Sequence, residues 1–145
     1  NLAQSINDIS FPKADIHLGM AITKGTYVGG TVQLSNHFSI ETSYGGNVGI
    51  LFAAMDPQRR ISIGLNYHLI WPVILNATYT FKEQLMTNYH NYHIASLNIG
   101  LLSLRNNGFH FFLSMGSYFE YEERNNLIHR EFAFIANLGV WFTFL

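Results

Sequence analysis

The sequence predicts an all-β chain, eight antiparallel strands wound up and down into one barrel. Three observations carry that prediction. Apolar and polar residues alternate with a period of two along most of the chain, turn signals separate the alternating segments at short spacing, and no segment shows the 3.6-residue period of a helix. At 145 residues the chain is one domain, large enough to bury a core of its own.

Residues 1–13 are polar and irregular, with Pro12 near their end, and are expected to form an N-terminal arm ahead of a barrel over 14–145. Ile16, Leu18 and Met20 then oppose Asp15, His17 and Gly19. Beyond Lys24-Gly25-Thr26, Val28, Val32 and Leu34 oppose Gly29, Thr31 and Gln33. A third segment sets Phe38, Ile40, Thr42 and Tyr44 against Ser39, Glu41, Ser43 and Gly45, in a phase that continues through Val48, Ile50 and Phe52. Met55-Asp56-Pro57-Gln58 reads as a turn, because proline presets the backbone angle that a chain reversal needs. The fourth strand opposes Ile61, Ile63, Leu65, Tyr67 and Leu69 to Ser62, Gly64, Asn66 and His68; after Pro72 the fifth opposes Val73, Leu75, Ala77, Tyr79 and Phe81 to Asn76, Thr78, Thr80 and Lys82. A polar loop is expected over 83–92, before Ala95, Leu97, Ile99 and Leu101 face away from Ser96, Asn98 and Gly100. Asn106-Asn107-Gly108 is a hairpin signal, since Asn-Gly readily takes positive φ. Phe109, Phe111, Leu113, Met115 and Phe119 form the seventh apolar face, a charged loop is expected over 122–130, and the last strand occupies about 131–145.

The polar face indicates what surrounds the barrel. A wall exposed to water normally carries many Lys, Glu and Arg. Charged residues make up only 12% of this chain, against roughly 25% in typical soluble domains. The polar face is built from Gly, Ser, Asn, Thr and Ala, with Asp15, Glu41, Lys82 and Glu120 as sparse charges. Small hydrogen-bonding side chains suit a narrow interior, so the apolar face is expected to point outward, into lipid. A soluble lipocalin-like barrel enclosing an apolar ligand is the opposite arrangement. No apolar run approaches the roughly 20 residues of a membrane-spanning helix, and the lack of an initiator Met and of an export segment reads as a mature exported chain. Aromatics should collect at two rims, with Phe38, Trp71, Phe109, Phe142 and Phe144 at one and Tyr79, Phe81, Phe119, Tyr121 and Phe132 at the other.

Tyr44-Gly45-Gly46-Asn47 is also a possible hairpin. Splitting there leaves a fragment of about seven residues, shorter than the roughly 9–11 of a tilted membrane strand, and gives an odd count. A further strand from 4–11 would make ten, the alternative to eight. Eight strands, with the third extending past the membrane, is the expectation.

The last residues read Asn137-Leu138-Gly139-Val140-Trp141-Phe142-Thr143-Phe144-Leu145. Asn137, Gly139, Phe142 and Phe144 match in register the C-terminal assembly signal of bacterial outer-membrane barrels, although the chain ends on Leu145 and not on the aromatic. In layout, residues 14–145 resemble the small OmpA- and OmpX-type barrels. That resemblance implies a bacterial outer-membrane location with both termini periplasmic. It also implies insertion by the barrel-assembly machinery, contact with outer-membrane lipid, and a structural, anchoring or accessory role, in the last case beside a larger membrane-protein complex.

His17, Glu41, Asn66, His68, Asn76, Asn98, His110 and Glu120 share the inward phase and are expected to form a polar network filling the lumen. Eight strands leave an interior just wide enough for side chains, so no porin-like water channel is expected. A lipid-modifying enzyme, known among barrels of this class, needs a Ser beside a His and an acid. Glu83, His93 and Ser96 supply the residue types, but His93 and Ser96 fall on opposite faces of one strand; His129 is a further candidate. His90 and His93 also point apart, so no metal site is expected, nor any cofactor. Without Cys there is no disulfide or thiolate chemistry, and a net charge of -1 with no basic patch excludes a nucleic-acid partner. The loops 83–92 and 122–130 are the expected partner contacts.

Overall fold

Alternating strands suit a closed sheet with one face in and one face out, and this is what the chain forms. The computed structural model describes residues 13–21, 23–46, 58–70, 72–84, 91–102, 109–124 and 127–143. Its strands are β1 (Ala14–Ala21), β2 (Gly25–Gln33), β3 (Phe38–Gly46), β4 (Gln58–Ile70), β5 (Val73–Gln84), β6 (Asn91–Leu102), β7 (Phe109–Arg124) and β8 (Leu127–Thr143). Each pairs antiparallel with its neighbours, and β8 closes on β1 to complete the barrel. The arm over 1–12, the continuation of β3 beyond Gly46, the turns at 55–57 and 106–108, Trp71 and Phe144 lie outside the described residues.

Following paired residues from His17 through Gly29, Ser43, Ser62, Thr80, Ile94 and Glu120 leads to Glu131 on β8. Continuing onto β1 shows that the register advances by about ten residues per circuit, which tilts the strands by about 40° to the barrel axis. Strand length grows from 8 residues in β1 to 17 in β8. Given the tilt, the strands end level at the rim that carries the termini, and the extra length accumulates at the opposite rim, where the β7–β8 hairpin stands highest. Gly25 makes the β1–β2 reversal, with φ of 68°, a region that side-chain-bearing residues rarely adopt.

The outer wall is apolar. Ile16, Leu18, Met20, Val28, Ile61, Ile63, Leu65, Leu97, Ile99, Leu113 and Leu138 are all exposed. The apolar stretch of β4, Ile61 to Leu69, spans about 20 Å along the axis, from about 3.3 Å per residue and the tilt.

One local expectation is corrected. The segment 122–130 is mostly strand, because β7 runs to Arg124 and β8 starts at Leu127. Tyr44, Gly45 and Gly46 lie within β3, paired to β4, in keeping with the expectation of eight strands. Gly29 and Gly30 sit in regular register, while the one irregularity among the described pairs falls between His68 and Ile70. There the strand meets the tight Pro72 turn.

Candidate functional site

Inward-facing residues build the lumen, and they fall into three groups along the axis. Nearest the terminus-bearing rim, β5, β6, β7 and β8 each send in one large apolar side chain, and Ile74, Leu102, Phe112 and Trp141 pack as a buried cluster. Phe112 and Trp141 have ring centroids 5.1 Å apart. His17 stacks on the other side of Trp141 at 5.0 Å, with its Nδ1 3.3 Å from Asp15 Oδ1 and 3.5 Å from Thr31 Oγ1. His110 is buried in register with Trp141, and His68 Nε2 lies 2.8 Å from Ser39 Oγ.

The middle of the lumen is a belt of side-chain amides anchored on one carboxylate. Lys24, carried in from the β1–β2 turn, donates to Glu41 Oε1. Asn66 Nδ2 donates to Glu41 Oε2 (3.4 Å), Asn76 Nδ2 to Asn66 Oδ1 (2.7 Å), and Asn98 Nδ2 to Asn76 Oδ1 (3.2 Å). Thr78 adds a second donor to Asn76 Oδ1 at 2.7 Å. Every link in this chain, from β6 through β5 and β4 to β3, points its donor toward Glu41. Amide dipoles aligned on a charge polarise one another and strengthen the whole belt. Amides hold their protons, so the belt fixes geometry and carries no proton.

The width of this layer is set by glycine. A Cβ at Gly64 would come 2.8 Å from Glu41 Cγ and 2.9 Å from Thr78 Oγ1, and one at Gly19 would come 2.6 Å from the Tyr27 hydroxyl. Each glycine leaves the room that a larger side chain on a neighbouring strand occupies.

Toward the loop-side mouth the groups are charged. Lys82 donates to Glu120 at 3.1 Å and lies 3.7 Å from the centroid of the Tyr92 ring. Arg60 donates to Gln58 at 2.7 Å, and Ser62 and Thr80 share a hydrogen bond of 2.7 Å. On the outer wall at the same rim, His93 sits among Tyr79, Phe81 and Tyr121, with ring centroids at 6.1, 5.6 and 5.8 Å. Arg59 pairs with Glu83 there. At the other rim Phe38 and Tyr67 pack at 5.0 Å.

No family model matches the chain, and no curated protein matches it. Among solved structures it is similar to the de novo designed TMB2.3, determined by solution NMR, at 13% identity and a TM-score of 0.47, over 95% of this chain and 98% of that one.

All eight residues of the lumen set lie on the inward face of their strands. Glu41, Asn66, Asn76 and Asn98 are joined in the belt. His17, His68 and His110 lie toward the terminus end, and Glu120 is with Lys82 at the mouth. Of the terminal motif, Asn137 faces in and donates to Ser114 Oγ at 3.0 Å, Gly139 lies against Gly19, and Phe142 pairs with Ile16 and Phe109. His93 is on the outer wall and Ser96 is inside, so these two form no catalytic pair; no group of His, Asp or Glu suited to a metal occurs among the described residues. Sequence reasoning missed Lys24, whose turn position gave no sign that it folds inward, and Trp141, Ile74, Leu102 and Phe112, which interrupt the polar face.

Proposed function

We propose that this chain is an integral outer-membrane barrel of the OmpA/OmpX kind that anchors or scaffolds, alone or as an accessory subunit of a larger membrane-protein complex, without catalysis. The observation that carries the reading is the reversal of faces, with large apolar side chains exposed all round the wall while Asp15, His17, Glu41, Asn66, His68 and Asn76 are buried in the lumen. In water such a wall would aggregate. In lipid it is the favourable surface, and a closed ladder leaves no unpaired backbone in the hydrocarbon. An apolar span of about 20 Å with an aromatic ring at each end is close to the roughly 25 Å band of such barrels. The apolar cluster across the terminus end argues for a scaffold and against a pore.

The test is detergent-extracted protein run in SDS with and without boiling, together with its membrane fractionation. A heat-dependent shift and an outer-membrane fraction support the reading. Protein that is soluble without detergent and shows no shift overturns it.

A further inference from the structure

The outer wall is not level. On β5, Ala77 faces outward between Leu65 of β4 and Leu97 of β6. On β6, Ala95 faces outward between Tyr79 of β5 and Phe119 of β7. Each alanine sits where its neighbours are large, so the wall drops there into an open groove of about 470 Å³, walled by Ile40, Ile63, Leu65 and Tyr79. That volume is within the roughly 300–1,000 Å³ of small-molecule sites.

The groove climbs toward the loop-side rim, and its surroundings change from apolar to polar on the way. Tyr79 closes its upper part, with the hydroxyl 2.5 Å from His93 Nδ1. When Nδ1 accepts from the phenol, a neutral imidazole carries its proton on Nε2 and can donate it outward. Above the Ile63–Tyr79 pair come Ile61 with Phe81 and then Arg59 with Glu83. Arg59 and Glu83 form an ion pair, with side chains 47% and 22% exposed. At about 3.3 Å per residue and a tilt of about 40°, the pair stands about 10 Å above Tyr79 along the axis. Its bond to Glu83 uses one of the guanidinium donors of Arg59, of which there are five.

We propose that this groove binds one molecule of a zwitterionic phospholipid with a phosphoethanolamine headgroup. An acyl chain lies over Ala77 and Ala95, the ester oxygens face the Nε2–H of His93, the phosphate accepts from Arg59, and the ammonium donates to Glu83. An apolar groove that leads directly to a pair of opposite charges matches an amphiphile whose own head carries both signs. An anionic lipid without the ammonium meets Glu83 with like charge, and a choline head has no N–H to donate to it. Guanidinium and carboxylate both suit such charge-assisted bonds.

This proposal rests on the membrane-barrel reading, which sets the groove in hydrocarbon and the ion pair among headgroups. The probe is a mixed micelle with equal amounts of phosphatidylethanolamine, phosphatidylglycerol and phosphatidylcholine, from which the barrel is transferred to native mass spectrometry. One phosphatidylethanolamine per barrel is expected, retained about fivefold over either competitor. Ala77→Leu with Ala95→Leu fills the groove on the lipid-facing side, where leucine is tolerated, and should lower retention of every lipid by about tenfold or more. Glu83→Gln should keep a bound lipid and remove the preference over phosphatidylglycerol. Several lipids held without discrimination, retention unchanged in the filled variant, or a preference that survives Glu83→Gln each overturn the proposal. A heat-modifiable barrel that retains no lipid overturns it alone, whereas a chain without the heat shift overturns the membrane reading as well.

Discussion

Removing the ammonium of Lys24 is expected to destabilise the barrel more than any single change at its surface. The Lys24 and Glu41 side chains are 9% and 5% exposed, and after Lys24→Met the carboxylate keeps only the long Asn66 hydrogen bond. Breaking a buried pair from one side costs about 3–5 kcal/mol, because an uncompensated charge is left behind. Glu41→Gln keeps an acceptor for Asn66 and strands an ammonium tethered to a turn, which can reach toward the mouth, so its cost should be smaller, about 2 kcal/mol. The double variant leaves two neutral groups and should lose only about 1 kcal/mol, giving a coupling energy of about 4–6 kcal/mol.

The assay is denaturant unfolding of the barrel in lipid vesicles, followed by tryptophan fluorescence, at low and high salt. Salt should leave the coupling almost unchanged, since screening acts mainly on exposed charges. Single losses below about 1 kcal/mol that add in the double variant and shrink with salt would match the behaviour of a surface pair. That result would refute a dry, belted lumen.

Other consequences are tested in the same vesicles. Gly64→Ala drives a methyl group into Glu41 and Thr78 and should cost about 1–3 kcal/mol, whereas Gly30→Ala, whose added Cβ would meet only the Asp15 carbonyl at 3.3 Å, should be close to neutral by denaturant midpoint. Ile63→Arg, at mid-height on the exposed wall, should lose about 2–4 kcal/mol and Phe132→Arg, at the rim, about 0–1 kcal/mol; equal costs would misplace the barrel in the bilayer. Planar-bilayer recordings should show no sustained current from the parent chain and steady conductance once Phe112→Ala and Trp141→Ala remove the ring cluster.

Alternation made the strands legible because each inward residue is followed by an outward one, and the phase that reads Ser62, Gly64, Asn66 and His68 as one face is the phase the closed sheet uses. Composition also identified which face turned inward, since Gly, Ser and Asn can fill a narrow barrel and cannot cover a solvated one. The contents of the lumen were less legible. Ile74, Leu102, Phe112 and Trp141 each look like an isolated exception on a polar face, and only the closed register brings four strands to one level and makes them a cluster. Lys24 sits in a turn, where a charge ordinarily means solvent. The charges over 122–130 suggested a loop for a related reason. Above the apolar belt a strand need not be apolar on its outer face, so its sequence there no longer resembles the rest of the wall.

The seam is where the fold is most exposed to failure. β1 and β8 are the first and last strands, so their pairing closes the longest loop in the chain, and closure entropy must be met by few pairs. Seven residue pairs join β1 to β8, against sixteen joining β7 to β8. The lumen adds one strong contact across this junction, His17 of β1 stacked on Trp141 of β8, with both side chains about 1% exposed. Replacing His17 with alanine removes the stack and leaves Asp15 without its imidazole neighbour, so the seam should open before the rest of the barrel. Exchange of amides in Asp15–Ala21 and Asn137–Thr143 should then accelerate by at least about tenfold while those of the β4–β5 hairpin keep their parent rates. Uniform acceleration over all eight strands would mean that the barrel opens only as a unit, and that the His17–Trp141 stack holds the seam no more than any other part of the wall.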